Sequence, residues 1–188
     1  MIWLLIGLAL WTGLHLFTTV FRPTRGRIVA RIGEGAWKGI VALGLVLSIW
    51  SMARGYGATS AGTLWIAPEW LRHLAVAAML PVFILYMGTI PGSALAARVR
   101  HPQLTAFKLW AVLHLVANGD VRSLVLFGGL LAWAVAQLVL LNRRDGKPPL
   151  PRPAASSLRA WAFVPAGFVI WAVLLWAHPW LFGVHPLG

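Results

Sequence analysis

Two of the six histidines, His15 and His114, sit inside long apolar stretches. A neutral imidazole there can ligate a metal or share a hydrogen bond between helices. From His15 to Arg22 is seven residues, about 10 Å of helix at ~1.5 Å per residue. From Lys108 to His114 is six residues, about 9 Å by the same rise. Both histidines therefore stand at a similar height above a basic edge. Two histidines at matching depth on different helices can approach a haem iron from its two faces. Each needs a partner for its other ring nitrogen, and Thr12, Thr18 and Thr105 offer hydroxyls nearby. The alternative is an interhelical hydrogen bond at each, worth about 1 kcal/mol. Depth alone favours neither.

His101 is the next candidate, in the sequence Arg100-His101-Pro102. It suits an alternative metal ligand, a contact to a cofactor carboxylate, or a helix cap. The cap is favoured, because helix starts recruit polar side chains and Pro102 fits a first turn, where its missing N–H is not needed. Arg98 and Arg100 suit haem propionates or lipid phosphates, lipid being the ordinary partner. His73, His178 and His185 fall near the opposite surface. Three such histidines can bind a metal, but their spacing matches no ligand motif and they read as interfacial polar residues. Asn118-Gly119-Asp120 is a tight-turn signal. Glu69 and Asp120 are placed to pair with Arg72 and Arg122. Gly128 and Gly129 suit close helix packing. The absence of cysteine excludes thiolate metal sites, iron–sulfur clusters and disulfides.

The elements that must hold these residues are apolar helices. The chain is 60% hydrophobic and 11% charged, with a mean hydropathy of +0.79. A soluble domain carries about 25% charged residues. Segment one, Ile2 to Phe21, puts Thr12, His15 and Thr19 on one helical face. Its basic residues follow the apolar run, so it reads as an uncleaved transmembrane helix and not a signal peptide. Residues 22–38 form a basic loop. Segment two spans roughly 36–53, and 54–68 is an outer loop. Segment three spans roughly 71–90, with Pro81 set to kink it. Residues 91–103 form a second basic loop. Segment four runs from Leu104 to Ala117 without a breaker. Its apolar core, Leu109 to Ala117, is too short to cross a bilayer alone, since a span needs about 20 residues. Longer neighbours must shield it, which makes His114 a functional candidate. Segment five is Ser123 to Leu141, and 142–159 is a basic, proline-rich linker. Segment six is Ala160 to Phe182. No internal repeat stands out.

The stretch around segment four also carries a resemblance. Arg-His-Pro (100–102), Lys-Leu-Trp-Ala (108–111), His-Leu (114–115), Asn-Gly-Asp (118–120) and Ser-Leu-Val-Leu-Phe-Gly-Gly (123–129), with Gly13-Leu14-His15, resemble the NnrU family over most of the chain. Those are bacterial inner-membrane proteins associated with denitrification genes. They are in turn similar to the plant 15-cis-zeta-carotene isomerase, a membrane haem b protein. His15 and His114 match histidines implicated in haem ligation there. The resemblance thus implies haem b as a cofactor. Arg-His-Pro also resembles the isoprenylcysteine carboxyl methyltransferases, which bind S-adenosylmethionine. Those enzymes carry paired acids after a late membrane helix, and residues 149–188 here contain no Asp or Glu.

The expected architecture is all-α: one domain over 1–188, a polytopic bundle of about six transmembrane helices whose first partner is the lipid bilayer. The net charge of +12 does not mean nucleic acid, because the basic residues lie between apolar runs. Arg22, Arg25, Arg27, Arg31, Lys38, Arg98, Arg100, Lys108, Arg143, Arg144, Lys147, Arg152 and Arg159 fall on one side, and Arg54, Arg72 and Arg122 on the other. The positive-inside rule then puts both termini in the periplasm of a bacterial inner membrane. The twelve tryptophans fit interfacial belts. The leading functional expectation is an NnrU-like protein with b-type haem between the first and fourth segments, supporting nitrite and nitric oxide reduction by redox chemistry, sensing or an accessory role. The alternatives are a methyltransferase of the isoprenylcysteine type and a non-enzymatic assembly or regulatory partner of a membrane complex.

Overall fold

The structure is a computed structural model and describes residues 1–60, 62–90, 92–96, 98–146 and 158–187. Its helices are α1 (Ile2–Val20), α2 (Arg22–Ile32), α3 (Glu34–Gly57), α4 (Glu69–Met87), α5 (Pro102–Ala117), α6 (Val121–Asp145) and α7 (Phe163–Phe182), with a 3-10 turn at Leu158–Trp161 before α7. Five of them, α1, α3, α4, α6 and the run 158–182, are long and apolar enough to cross a membrane. The fold is an all-α membrane protein. α5 has 16 residues, about 24 Å at ~1.5 Å per residue, short of the ~30 Å hydrocarbon layer, as its sequence required.

The chain divides into two compact units. The first comprises Met1–Leu64 and Asp120–Gly146. Here α1 packs along α3 and against α6. Small residues bring the α1 and α3 backbones together. A Cβ added at Gly7 would stand 2.6 Å from the Ser48 carbonyl oxygen, and one at Gly55 would strike the backbone of Leu4. Without a hydrophobic drive between helices in lipid, such close approach is what packing energy depends on. Gly129 of α6 meets Leu8, whereas Gly128 faces only Leu124 of its own helix.

The expected basic loop at 22–38 is instead a helix, α2. Pro23 sits in its first turn, where a missing N–H does no harm. Single residues, Phe21 and Gly33, join α2 to its neighbours, and Gly33 takes φ 84°, a conformation glycine adopts freely. Ile28 and Val29 are half-buried while Arg27 and Arg31 are exposed. Arg25 pairs with Glu34 at 2.9 Å. At the other basic end, α6 continues to Asp145, so the linker expected from 142 begins later. Residues 147–157 of that linker lie outside the described residues.

The second unit comprises Trp65–Gly119 and Lys147–Gly188. α4 packs against both α5 and α7 and continues through Pro81. A Cβ at Gly167 of α7 would lie 2.5 Å from the Ile84 Cα. Trp171 Nε1 donates to the Val76 carbonyl at 3.1 Å. Ala94, Ala160 and Phe163 form a buried cluster, and the Ala94 N–H donates to the Ala160 carbonyl at 2.8 Å.

These contacts set a first prediction. Gly55→Val and Gly167→Val should each destabilise the protein by about 1–3 kcal/mol, the usual cost of overpacking. Gly13→Ala, where nothing lies within 4 Å, should be neutral or slightly stabilising. Thermal unfolding in one detergent compares the three, and an unchanged Gly55→Val midpoint would refute the close α1–α3 approach.

The expected tight turn at Asn118-Gly119-Asp120 is absent. Asn118 (φ −123°, ψ 108°) and Asp120 (φ −113°, ψ 159°) are extended. Gly119 is needed for room and not for handedness, because a Cβ there would run into the Trp65 carbonyl. The Trp65 N–H donates to the Gly119 carbonyl at 3.1 Å. In the first unit, the Val121 N–H donates to the Gly62 carbonyl at 3.2 Å, beside an isolated bridge between Thr63 and Asp120. Asp120 then caps α6, accepting from the Ser123 N–H at 2.8 Å, and pairs with Arg122 at 3.4 Å. Glu69, expected to pair with Arg72, makes no ion pair among the described residues and lies in the first turn of α4.

Candidate functional site

His15 lies on α1 in the first unit. Helical side chains lean towards the N-terminus and over the preceding turn, so its ring meets residue 11. Its Nδ1 stands 2.9 Å from the Trp11 carbonyl oxygen. A carbonyl only accepts, so Nδ1 carries the proton. In the neutral ring Nε2 then holds the lone pair. The Trp11 indole lies against the imidazole, with ring centroids 4.4 Å apart and planes at 39°. Trp133 of α6 meets the same ring at 4.6 Å and 62° and meets Trp11 at 5.3 Å and 80°.

One turn further along α1, Thr18 and Thr19 donate their hydroxyls to the His15 carbonyl at 2.8 and 3.1 Å. Gln137 of α6, only 8% exposed, donates Nε2 to Thr19 Oγ1 at 2.6 Å. Among the described residues its buried Oε1 has no hydrogen-bond partner. The threonine hydroxyls thus serve the backbone, and the partner of the imidazole is a main-chain carbonyl.

His114 lies on α5 in the second unit, in the same local arrangement. Its Nδ1 stands 2.9 Å from the Trp110 carbonyl, and the Trp110 indole lies 4.5 Å from the ring at 48°. Phe107 meets Trp110 at 5.2 Å. Asn118 Nδ2 donates to the His114 carbonyl at 2.9 Å, the counterpart of Thr19 on His15. Again the neutral ring presents Nε2 as the lone-pair nitrogen.

His101 occupies the N-cap position of α5, with Pro102 following, but its side chain makes no cap hydrogen bond; its carbonyl accepts from the Thr105 N–H at 3.0 Å. Capping by the imidazole is therefore corrected. With φ −132° and ψ 67° at His101, the turn closes through its main chain instead. Arg100 Nη1 is buried and, among the described residues, has no hydrogen-bond partner. Arg98 donates to the Ala94 carbonyl at 3.0 Å. His73 and His178 reach main-chain carbonyls of Leu187 and Val184. Among the described residues no three histidines or acids gather as metal ligands.

The tryptophans beside the two histidines were not singled out from the sequence, yet a signal for them exists. Leu10-Trp11-Thr-Gly-Leu14-His15-Leu16 and Leu109-Trp110-Ala-Val-Leu113-His114-Leu115 share Leu-Trp-x-x-Leu-His-Leu. The chain therefore holds a short internal repeat. It is easily missed because its flanks differ, being wholly apolar on α1 and basic on α5.

Long apolar helices, with one tryptophan-backed histidine in each unit, define a polytopic membrane protein. The NnrU protein family model matches residues 3–186, and the chain belongs to that family. No curated protein and no solved structure matches it.

Proposed function

We propose that the protein is a bacterial inner-membrane protein, with both termini periplasmic, that binds b-type haem through His15 and His114 in a redox, sensing or accessory role linked to nitrite and nitric oxide reduction. One observation carries the reading: both histidines commit Nδ1 to a carbonyl of their own helix at 2.9 Å. That bond is the second-shell support that metal-ligating histidines use. The donor set therefore fits the group: two neutral imidazoles, each with Nε2 as the lone-pair nitrogen. Bis-imidazole haem supplies one-electron transfer when bound. The buried Arg100 Nη1 is a donor suited to a propionate carboxylate, a charge-assisted hydrogen bond. His101 adjoins it in sequence and would add at most a minor contact to the same anionic edge. The family's association with denitrification genes supports the role. An absorption spectrum of the purified protein, oxidised and reduced, tests the cofactor.

The methyltransferase reading gains nothing from the acids. Glu34, Asp120 and Asp145 each pair with a neighbouring arginine, and Glu69 stands in the first turn of α4. Calorimetric titration should show no specific S-adenosylmethionine binding. A micromolar Kd, about −8 kcal/mol, would reverse that ranking.

A further inference from the structure

We infer that Leu-Trp-x-x-Leu-His-Leu is a histidine-presenting module used twice, in which Trp11 and Trp110 are positioning residues that fix the ring plane and tautomer of His15 and His114. Its purpose rests on the haem reading; its content rests on local geometry alone.

The two copies belong to different units and are followed by different polar groups, Thr18 and Thr19 in one and Asn118 in the other. They nevertheless repeat the same three relations. Nδ1 meets the i−4 carbonyl at 2.9 Å in both. The indole and imidazole centroids lie 4.4 and 4.5 Å apart. The interplanar angles are 39° and 48°.

The physical cause is the spacing. Residues i and i−4 stack on one helix face, so residue 11 or 110 offers its carbonyl and its side chain to the same imidazole. The imidazole's χ2 is broad and roughly two-fold. One flip puts Nδ1 on the carbonyl, and the other puts a carbon there. An aliphatic i−4 residue supplies the carbonyl but no flat surface. The indole supplies a surface that confines the ring to one plane, in which the carbonyl selects the flip that puts Nδ1 on it and turns Nε2 away. At His15 a second ring, Trp133 of α6, braces the imidazole at 62°.

The test reads the tautomer directly. Full-length protein with ¹⁵N-labelled histidine is prepared free of haem in lipid bilayers. Nitrogen NMR then separates Nδ1–H from Nε2–H rings. Wild type should show Nδ1–H at both His15 and His114. Trp11→Ala should raise the Nε2–H fraction of His15 about fivefold, the population change for ~1 kcal/mol of ring contact, and leave His114 unchanged. Trp110→Ala should do the converse.

Should Trp11→Ala disturb both histidines, Trp11→Leu, which keeps apolar bulk without the plane, is read instead. A wild-type tautomer ratio at His15 in that variant overturns the inference, as does Nε2–H at either histidine in wild type. The outcomes separate from those for haem. A protein that stays colourless with haem supplied, but shows these shifts, loses the haem reading and keeps this one. A coloured protein with unmoved tautomers does the reverse.

Discussion

Purified with ample haem, the protein should be red, with a sharp reduced α-band and a Soret shift on reduction, the signature of six-coordinate bis-histidine haem. His15→Ala and His114→Ala should each remove one axial nitrogen and leave the other, so each variant should lose haem or turn high-spin. The argument is the tautomer: in both rings Nδ1 is occupied at 2.9 Å by a main-chain carbonyl, which leaves Nε2 to coordinate. His101→Ala should change the spectrum little, because His101 holds an N-cap position through its main chain. His178→Ala is the control. Its Nδ1 reaches the Val184 carbonyl at 2.9 Å on an exposed surface, and the spectrum should not move. A colourless wild type would end the ligand reading and leave both imidazoles as polar residues bound to their own helices.

The helices were legible in the sequence because apolar runs of this length have no other stable form in lipid, where every backbone group must be satisfied within the segment. α2 was not legible. Four arginines between two apolar runs look like a loop when counted as charge. The segment is nevertheless a helix, packed against α1 and α3 with Ile28 and Val29 among its less exposed residues. Gly119 was recognised as necessary for the wrong reason. Turn chemistry explains Asn-Gly-Asp by backbone handedness, whereas the requirement is space for the Trp65 carbonyl, a contact remote in sequence.

At the candidate site, His15 and His114 were singled out from residue type, depth and the family resemblance. Their ring partners were sought among hydroxyls, as is natural for polar chemistry. A helix supplies a carbonyl one turn back to any histidine that leans that way, and that nearer acceptor is the one used. Trp11 and Trp110 were absorbed into the expectation of interfacial belts. Their depth beside the histidines distinguishes them from tryptophans at the helix ends.

Reporter fusions after residue 60 and after Gly188 should read periplasmic, and a fusion near residue 147 should read cytoplasmic. Charge alone motivates this orientation, but charge does not say whether the 16-residue α5 returns across the membrane. The paired connections support the return. Within the second unit, Trp65, just before α4, bonds to Gly119, just after α5. α5 therefore ends beside the start of α4, as a helix making the return crossing would. Within the first unit, Gly62, shortly after α3, bonds to Val121 at the start of α6, so α6 sets out from the side where α3 ends. Were α1, α3, α4, α5, α6 and α7 each to cross once, the six crossings would return the C-terminus to the side of the N-terminus. Six crossings would agree with the orientation that the positive-inside rule favours. A cytoplasmic reporter after Gly188 would mean that one of the six fails to cross, and α5, the shortest, would be the first to suspect. A cytoplasmic signal after residue 60 as well would instead mean that the whole chain is inverted against its charge.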